Sequence, residues 1–353
     1  MKAPRTIPPP SRRPADRRAF TLLEVLIAVG ITTLLVGFIL VIVNNVSGFW
    51  SRTSGRVSAE AQGRFVLDQL TLDLQSALFR DDGNVWLAAT ILGNTANTGL
   101  WSSTATTGSA IKPANNAGSL QTAATGNLSD ARFGVAGVWL RFFTTRRGNT
   151  SVLGTASAPV AVAYQIVRRA TSGNEARSSD RRYLLHRTEV RPTTLSSTQP
   201  GTIESGFSIV ASAYAPSSNT VRQVNDPAEI RYPTINSVIA ENVVDFGVRM
   251  YVRDSTRPDG LRLVYPANNT STATYQARAP SRAVGAGDVF PDVIDVMVRV
   301  LTDEGASQLA GYEAAPQRFF ARADRSAQQF WWDLALANSR VFTRRIIVNT
   351  TSP

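Results

Sequence analysis

Two hydrophobic patterns follow one another in the N-terminal part of the chain. Residues 20–43 read FTLLEVLIAVGITTLLVGFILVIV, in which Glu24 is the only charged residue. Residues 25–43 alone give 19 uncharged positions, and as a helix they span about 28 Å, close to the hydrocarbon thickness of a bilayer. The alternatives are a buried helix of a soluble protein and a cleaved secretory signal peptide. The unbroken length and the lack of an A-x-A cleavage pattern favour a transmembrane helix over residues 20–43.

The second pattern begins at residue 44 and is amphipathic. Leucines recur every three or four residues with charged residues between them: Leu67, Leu70, Leu74 and Leu78, against Glu60, Arg64, Asp68 and Asp73. This periodicity predicts an amphipathic half of the same helix over residues 44–80, with one face on a globular domain. We therefore expect one long helix from residue 20 to about residue 79. The run DDGN at 81–84 predicts the turn that ends it.

A segment of low complexity follows the helix. Between residues 93 and 130 the chain is dominated by Gly, Ser, Thr, Asn and Ala. Such a composition buries too little apolar surface to build a core, and a long segment of this kind is typical of a surface insertion. We therefore predict a loop region over residues 81–134.

Alternating β-branched and aromatic residues dominate the chain beyond residue 134. The stretches with this pattern are residues 135–143, 160–166, 182–190, 207–213, 243–252, 261–265, 289–301 and 340–348, and Gly, Pro, Asn and Ser clusters separate them. Residues 326–337 predict a short helix, on which Phe330, Trp331 and Leu334 are core residues or, alternatively, a partner surface. The predicted fold class is α+β: a long N-terminal membrane-spanning helix packed on an antiparallel β-sheet domain with long loop insertions. That β-rich globular domain covers residues 135–353.

Charge is concentrated at the N-terminus. Residues 1–19 contain six of the 37 Lys/Arg residues and one of the 26 Asp/Glu residues, together with prolines that prevent a regular helix. They supply five of the eleven net positive charges, which leaves a formal net charge of +6 on the rest of the chain. Because cytoplasmic flanks of membrane helices are rich in Lys and Arg, this basic leader predicts a cytoplasmic N-terminus and a C-terminal domain across the membrane.

The composition provides few side chains for metal binding or nucleophilic catalysis. The chain has no cysteine and one histidine, His186, which excludes disulfides, thiolate metal sites and multi-histidine metal sites. His186 stands on a predicted strand, and Glu189, three residues further on, points to the other face. No GxSxG, HExxH, DxDxDG or P-loop pattern occurs. We expect no catalytic residues, no metal site and no cofactor.

The junction between leader and helix resembles a known processing signal. The string RRAFTLLEVLIAVGITTLLVGFIL resembles the N-terminus of type IV prepilins and of the pseudopilins of type II secretion. In that family a basic leader ends in a small residue, and the mature chain starts with Phe and carries Glu at its fifth position. Phe20 and Glu24 fill those places here, whereas Ala19 stands where the family has Gly. The resemblance implies that a prepilin peptidase cuts between Ala19 and Phe20 and N-methylates Phe20, so that residues 1–19 are removed.

Glu24 is the candidate assembly residue. A carboxylate in hydrocarbon is costly unless it is paired, and a position in the first helical turn favours an anion there. Cleavage gives Phe20 a free α-amino group that is mostly cationic at neutral pH, so Glu24 of one subunit can pair with Phe20 of a neighbour and set the axial register. The alternative is an interfacial glutamate that extends to the lipid headgroups.

Gly30 and Gly37 are the candidate helix-packing residues. They lie seven positions apart on one face of the predicted membrane helix, and small residues let helices approach closely in lipid. The alternative is the ordinary tolerance of membrane helices for glycine.

Several other stretches resemble one branch of the family. Residues 65–70, 243–249, 291–296 and 342–346, together with the chain length, resemble the minor pseudopilin J type, and the chain is loosely similar to prepilin-like proteins of verrucomicrobial gene cassettes. The resemblance implies a minor pilin or pseudopilin held in the bacterial inner membrane with an extracytoplasmic domain. Its partners would be prepilin peptidase, other major and minor pilin-like subunits and an inner-membrane assembly platform, in a type II secretion or type IV pilus-like system.

Two alternatives stay open from the residues. A DNA-binding or adhesive minor pilin is suggested by the basic charge, but the arginine pairs at 146–147, 168–169, 181–182 and 344–345 are dispersed, whereas phosphate binding needs them on one face. Nucleic acid is therefore not an expected partner. A membrane-anchored enzyme that uses carboxylate pairs is the second alternative.

Overall fold

The computed structural model describes residues 21–91, 138–145, 159–172, 181–190, 209, 233, 235–265, 274–280, 288–314 and 327–348. The chain divides into two compact units, Met1–Thr53 and Ser54–Pro353. The first unit holds the apolar part of the N-terminal helix, and the second holds the rest of that helix and both sheets. The predicted α+β layout of a long apolar helix followed by antiparallel sheets is confirmed.

Helix α1 (Leu22–Gln75) contains 54 residues. Its apolar part is long and apolar enough to cross a membrane, and large apolar side chains from Leu22 to Val46 are exposed there. In the second unit the helix becomes amphipathic as its leucine periodicity predicts: Leu67, Leu70 and Leu74 are buried.

The helix ends at Gln75, about four residues before the predicted end. The chain beyond it turns to pair with a strand, and Ala77 forms an antiparallel bridge with Thr144. Thr144 Oγ1 donates to the carbonyl oxygens of Asp73 at 2.9 Å and Ser76 at 3.0 Å. These bonds satisfy carbonyls that a helix end leaves open, which explains the earlier termination.

Ten strands and two further α-helices follow α1 in the described part of the chain, together with a 3₁₀ helix at Ile235–Ser237. They are β1 (Leu87–Ile91), β2 (Val138–Thr145), β3 (Pro159–Ala170), β4 (Arg181–Val190), β5 (Val238–Glu241), β6 (Val243–Arg253), β7 (Leu261–Tyr265), β8 (Thr274–Ala277), β9 (Val293–Leu301), α2 (Asp303–Ala314), α3 (Ala327–Ala337) and β10 (Ser339–Ile347). One sheet has the order β5-β4-β3-β2-β1-β8 and the other β10-β9-β6-β7. All these strand pairs are antiparallel.

The two sheets and the second half of α1 share one hydrophobic core. Phe142 of β2 stacks on Tyr164 of β3, and Tyr164 contacts Phe246 of β6 in the other sheet, with both ring-centroid distances at 6.3 Å. The helix contributes Val66, Leu67, Leu70 and Leu74 to this core. Burying side chains of this size stabilises by about 1.5–3 kcal/mol each, so the sheets and the helix depend on one another.

One predicted boundary is wrong. The predicted loop region covers residues 81–134, but Leu87–Ile91 forms β1 between β2 and β8. Trp86, Leu87, Ala88 and Ala89 are buried, and the small alanines of LAATI hide the usual β-branched signal. The part of that predicted loop after β1, residues 92–134, lies outside the described residues, as does the predicted strand at 207–213 except Ile209.

Three other elements were not predicted. Strands β5 and β8 contain only four residues each, too few to display an alternation. Helix α2 begins where Thr302 Oγ1 accepts a hydrogen bond from Gly305 N at 3.1 Å, a side-chain cap of the first turn. The predicted helix at 326–337 is observed as α3, where Trp331 is buried and Phe330 and Leu334 pack on the core, in agreement with the core interpretation.

The contact between Gly63 of α1 and Phe342 of β10 allows a stability prediction. A Cβ atom at Gly63 would lie 2.6 Å from Phe342 Cε2, so Gly63→Ala forces the ring to move, and such overpacking costs about 1–3 kcal/mol. Gly311 of α2 has no atom within 4 Å of that position, so Gly311→Ala is expected to stabilise by about 0.5–1 kcal/mol. Chemical unfolding of the full-length chain in detergent measures both, and equal effects of the two substitutions would contradict the close approach.

Buried tyrosines predict sensitivity to alkaline pH. Burial raises the pKa of Tyr164, Tyr183, Tyr265 and Tyr275 above the ordinary value of 10.0. The unfolded chain releases these protons near pH 10 and the folded chain does not, so their contribution to stability is complete below pH 10 and is lost as the pH rises further. We expect the tyrosinate absorbance to increase over the same pH range in which the circular dichroism signal is lost.

Tyr265→Phe is the matched variant for this prediction. Within the described part of the chain the Tyr265 hydroxyl is buried and makes no hydrogen bond, so removing it keeps the packing and deletes one proton release. The alkaline transition of this variant is expected to move to higher pH. Complete tyrosine ionisation while the circular dichroism stays native would contradict the prediction.

Candidate functional site

The first turn of α1 is closed by Thr21 and Glu24. Glu24 Oε2 accepts hydrogen bonds from Thr21 N at 3.0 Å and Thr21 Oγ1 at 3.1 Å, and Glu24 N donates to Thr21 Oγ1 at 3.3 Å. This reciprocal arrangement is a capping box, in which a threonine and a glutamate three residues later satisfy each other's backbone N–H groups. The sequence TLLE therefore starts the helix and holds the carboxylate at its N-terminal end.

Glu24 is exposed on this helix, so its carboxylate is accessible to a second group. One oxygen, Oε2, is engaged with Thr21, and the position at the positive end of the helix dipole stabilises the anion. The predicted partner, the α-amino group of Phe20 in a neighbouring chain, is not tested, because Ala19 and Phe20 lie outside the described residues. The processing site and the pairing of Glu24 stay predictions.

Gly30 and Gly37 are exposed and leave open space beside α1. No atom lies within 4 Å of the position that a Cβ would take at either residue. The nearby Thr32 and Thr33 hydroxyls donate to the carbonyls of Ala28 at 2.7 Å and Val29 at 2.8 Å, so these polar groups are satisfied within the helix, as hydrocarbon requires. This surface permits the close helix approach expected of the two glycines, which stays a prediction.

A second exposed apolar surface lies on the part of α1 that belongs to the second unit. Val57, Phe65 and Leu72 are 62%, 53% and 63% exposed. Their spacings of eight and seven residues keep them on one side of a helix, opposite the buried side that carries Ala59, Val66 and Leu70. We call Val57, Phe65 and Leu72 the exposed stripe. The leucine periodicity in the sequence predicts only the core side of the helix, so sequence reasoning missed this stripe.

Two ionic clusters lie in the interior of the second unit. In the first, Asp73 of α1 binds Arg187 of β4. In the second, Glu313 of α2 accepts hydrogen bonds from Arg168 Nη2 at 2.8 Å, Tyr183 Oη at 2.5 Å and Trp331 Nε1 at 2.8 Å. Burial raises the pKa of Glu313, and the three donors oppose that rise. Sequence reasoning missed both clusters. The amphipathic pattern predicts Asp73 on the polar side of α1, although it lies between Leu70 and Leu74 on the core side.

Glu313 and His186 lie in closely enclosed surroundings. The cavity beside Glu313 has a volume of about 10 Å³, which holds about one water molecule. His186 is buried, and its Nδ1 lies 3.1 Å from Ser237 Oγ. Glu189 lies on the other face of β4, as predicted, and binds Arg187. Among the described residues no group of His, Asp and Glu has the arrangement of a metal site.

Three of the paired arginines bind carboxylates. Arg168 is buried against Glu313, Arg344 Nη1 lies 2.5 Å from Asp68 Oδ1, and Arg345 binds both carboxylate oxygens of Asp295 at 2.7 and 2.8 Å. Carboxylates thus neutralise these arginines, which weakens a phosphate-binding interpretation. Residues 146–147 lie outside the described part.

Comparison with known proteins places the N-terminus in a recognised class. Residues 14–40 match a family model described as the prokaryotic N-terminal methylation motif. No curated protein matches the chain, and no solved structure matches it. The motif indicates a type IV prepilin-like protein that is processed by a prepilin peptidase and assembles with other pilin subunits. Together with the exposed apolar part of α1, it fits membrane anchoring by a single N-terminal helix.

Proposed function

We propose that this chain is a minor pilin or pseudopilin, resembling the minor pseudopilin J type, that joins a periplasmic pseudopilus or pilus of a type II secretion or type IV pilus-like system. The proposal rests on one observation: the methylation motif at residues 14–40 coincides with the start of an exposed apolar helix. The Thr21–Glu24 capping box holds a carboxylate at that start.

The proposed topology follows from charge. Six basic residues precede the apolar part of α1 and fewer follow it, so the leader stays in the cytoplasm and the second unit lies outside the inner membrane. Until assembly the apolar part of α1 anchors the subunit in the bilayer. Prepilin peptidase then exposes the Phe20 amine, and an inner-membrane platform brings the subunit to the filament.

Assembly requires surfaces that are open in a single subunit. Glu24 supplies pairing with a neighbouring Phe20 amine, and Gly30 and Gly37 supply close helix approach within the membrane. The exposed stripe supplies apolar contact on the part of α1 that belongs to the second unit. Three large apolar side chains on one side of a solvated helix are costly in an isolated subunit and are typical of an interface, and the helices of other pilin-like subunits are the proposed occupants.

The proposed role is structural and not catalytic. In the interior, Asp73 binds Arg187 and Glu313 binds Arg168. Each pair joins a helix to a strand. These buried ionisable groups serve packing, and no cofactor is proposed.

Single-cysteine crosslinking tests this proposal cleanly, because the natural chain contains no cysteine. Phe65→Cys in the exposed stripe is expected to crosslink in native membranes to a second subunit whose N-terminus carries the same methylation motif. Arg257→Cys, at an exposed turn between β6 and β7, is the matched control and is expected to crosslink weakly. Equal yields from both positions, or Phe65→Cys products without a pilin-like partner, would refute the proposal.

A further inference from the structure

Three strands meet one turn of α1 at Asp73. Arg187 of β4 binds both carboxylate oxygens, with Nε 2.6 Å from Oδ2 and Nη2 3.1 Å from Oδ1. Tyr164 Oη of β3 donates to Oδ2, and Thr144 Oγ1 of β2 donates to the Asp73 carbonyl oxygen at 2.9 Å. The remaining guanidinium nitrogen, Arg187 Nη1, donates to Glu189 Oε2 at 2.8 Å.

The geometry of this cluster is specific. A bidentate arginine–carboxylate pair fixes direction as well as distance, and Asp73 and Arg187 are both nearly excluded from solvent. Tyr164 and Arg187 are direct cross-strand neighbours, so the two side chains that bind Asp73 are held by the sheet itself. The carboxylate therefore has one place in which all its donors are satisfied.

The apolar side of α1 restricts the axial position of the helix on the sheets much less strictly. Its buried residues recur at every turn: Ala59, Gly63, Val66, Leu67, Leu70 and Leu74. A slide of one turn, about 5.4 Å, moves Leu70 to the place of Leu74 and Val66 to the place of Leu70. Apolar groups then still meet apolar groups, and packed helices are known to move past neighbours in such one-turn steps.

The cluster penalises that slide. Four residues before Asp73 on α1 stands Gln69, and four residues after it, just beyond the helix end, stands Ala77; neither offers a carboxylate to Arg187. The slid arrangement would leave Arg187 Nε and Nη2 without the Asp73 carboxylate, with Glu189 still bound to Nη1, and breaking a buried pair in this way is strongly unfavourable. Gly63 adds a steric constraint in the same register, because only glycine fits against Phe342.

We propose that the Asp73–Arg187 pair is a register lock: it selects one axial position of α1 on the sheets and contributes little net stability. Buried ion pairs often break even against apolar replacements of similar volume, whereas a single buried polar group can specify the register of packed helices. The proposal concerns the second unit alone and does not depend on the proposed function.

Cysteine pairs report the register in the full-length chain in detergent. Arg344 contacts Asp68 in the native register, so cysteines at 68 and 344 joined by a short bis-maleimide report that position. Cysteines at 64 and 344, or at 72 and 344, report slides of one turn in either direction. In the otherwise native chain we expect the 68–344 product to dominate.

Because Arg187 also binds Glu189, every variant is made in a Glu189→Gln background. The decisive variant is then Asp73→Leu combined with Arg187→Met, which removes both charges of the pair and keeps apolar volume. We expect it to unfold cooperatively with a midpoint close to the native one, while the 64–344 or 72–344 yield rises at least about fivefold relative to 68–344, as loss of a modest bias between two states requires. The single variant Asp73→Leu leaves Arg187 buried without its anion and is expected to be less stable than the double variant.

Two results would overturn the proposal. An unchanged crosslinking pattern in the double variant would mean that apolar packing sets the register, and loss of cooperative unfolding would make the pair a main source of stability. The charge exchange Asp73→Arg with Arg187→Asp provides a rescue test: it is expected to restore the dominant 68–344 product relative to the apolar double variant. Failure of this restoration in a folded protein also counts against the lock.

Discussion

Glu24→Val is expected to leave membrane insertion intact and to abolish co-assembly with other pilin-like subunits. Valine lowers the cost of placing this position in hydrocarbon, so the amount of protein in the membrane should not fall. Assembly loses the pairing between the Glu24 carboxylate and a neighbouring Phe20 amine, and coupling energies measured for close charge pairs at a protein interface are about 1.5–7 kcal/mol. A decrease of tenfold or more in co-purified partner subunits is the expected result.

Thr21→Val is the matched control. It removes the hydroxyl that contacts Glu24 Oε2 and Glu24 N but keeps the carboxylate and its charge. Loss of a neutral side-chain cap costs about 1 kcal/mol, so its effect on assembly should be smaller than that of Glu24→Val. If Glu24→Val inserts and still co-purifies with native amounts of partners, the pairing hypothesis is wrong and Glu24 is an interfacial residue.

Phe65→Ala is expected to weaken assembly with little effect on the fold of the subunit. Phe65 is more than half exposed, so its truncation removes little core packing. At an interface, truncation of a large aromatic residue that carries binding energy costs about 1–3 kcal/mol, which corresponds to roughly 5- to 150-fold in affinity. Quantitative co-purification from membranes measures the first effect and chemical unfolding the second.

Leu70→Ala supplies the opposite control on the same helix. Leu70 is fully buried in the shared core, and its truncation is expected to cost about 2–5 kcal/mol of unfolding free energy. If Phe65→Ala lowers the free energy of unfolding as much as Leu70→Ala does, the exposed stripe belongs to the fold. If Phe65→Ala changes neither stability nor partner recovery, the stripe is not an interface.

The helix and most long strands were predictable because their patterns are local. Leu67, Leu70 and Leu74 repeat with the helical period, and β4, β6 and β10 are stretches of nine or more residues that contain several β-branched and aromatic residues. The short strands β5 and β8 gave no such signal. In β1, the alanines in LAATI lack the β-branched shape that marks a strand. Burial of this segment depends on neighbours that lie far away in sequence.

The candidate site was only partly predictable for the same reason. Glu24 is visible because a charge inside an apolar run is exceptional. Its capping partner Thr21 follows from the three-residue spacing. By contrast, Asp73 looked like one more polar residue of an amphipathic helix, because its partner Arg187 lies 114 residues away. A long-range ion pair leaves no periodic trace, although the place of Asp73 between Leu70 and Leu74 is a local sign that it faces inward.

Mass spectrometry of the N-terminus of the protein isolated from membranes tests the central claim most directly. A prepilin-like subunit with the motif at residues 14–40 should begin at Phe20 and carry one methyl group on its α-nitrogen, with residues 1–19 absent. Ala19→Gly provides a comparison for cleavage efficiency, since glycine stands before the cleaved bond in the family it resembles. A mature chain that begins at Phe20 with N-methylation is the predicted result, and a chain that retains Met1 would contradict processing and assembly at their first step.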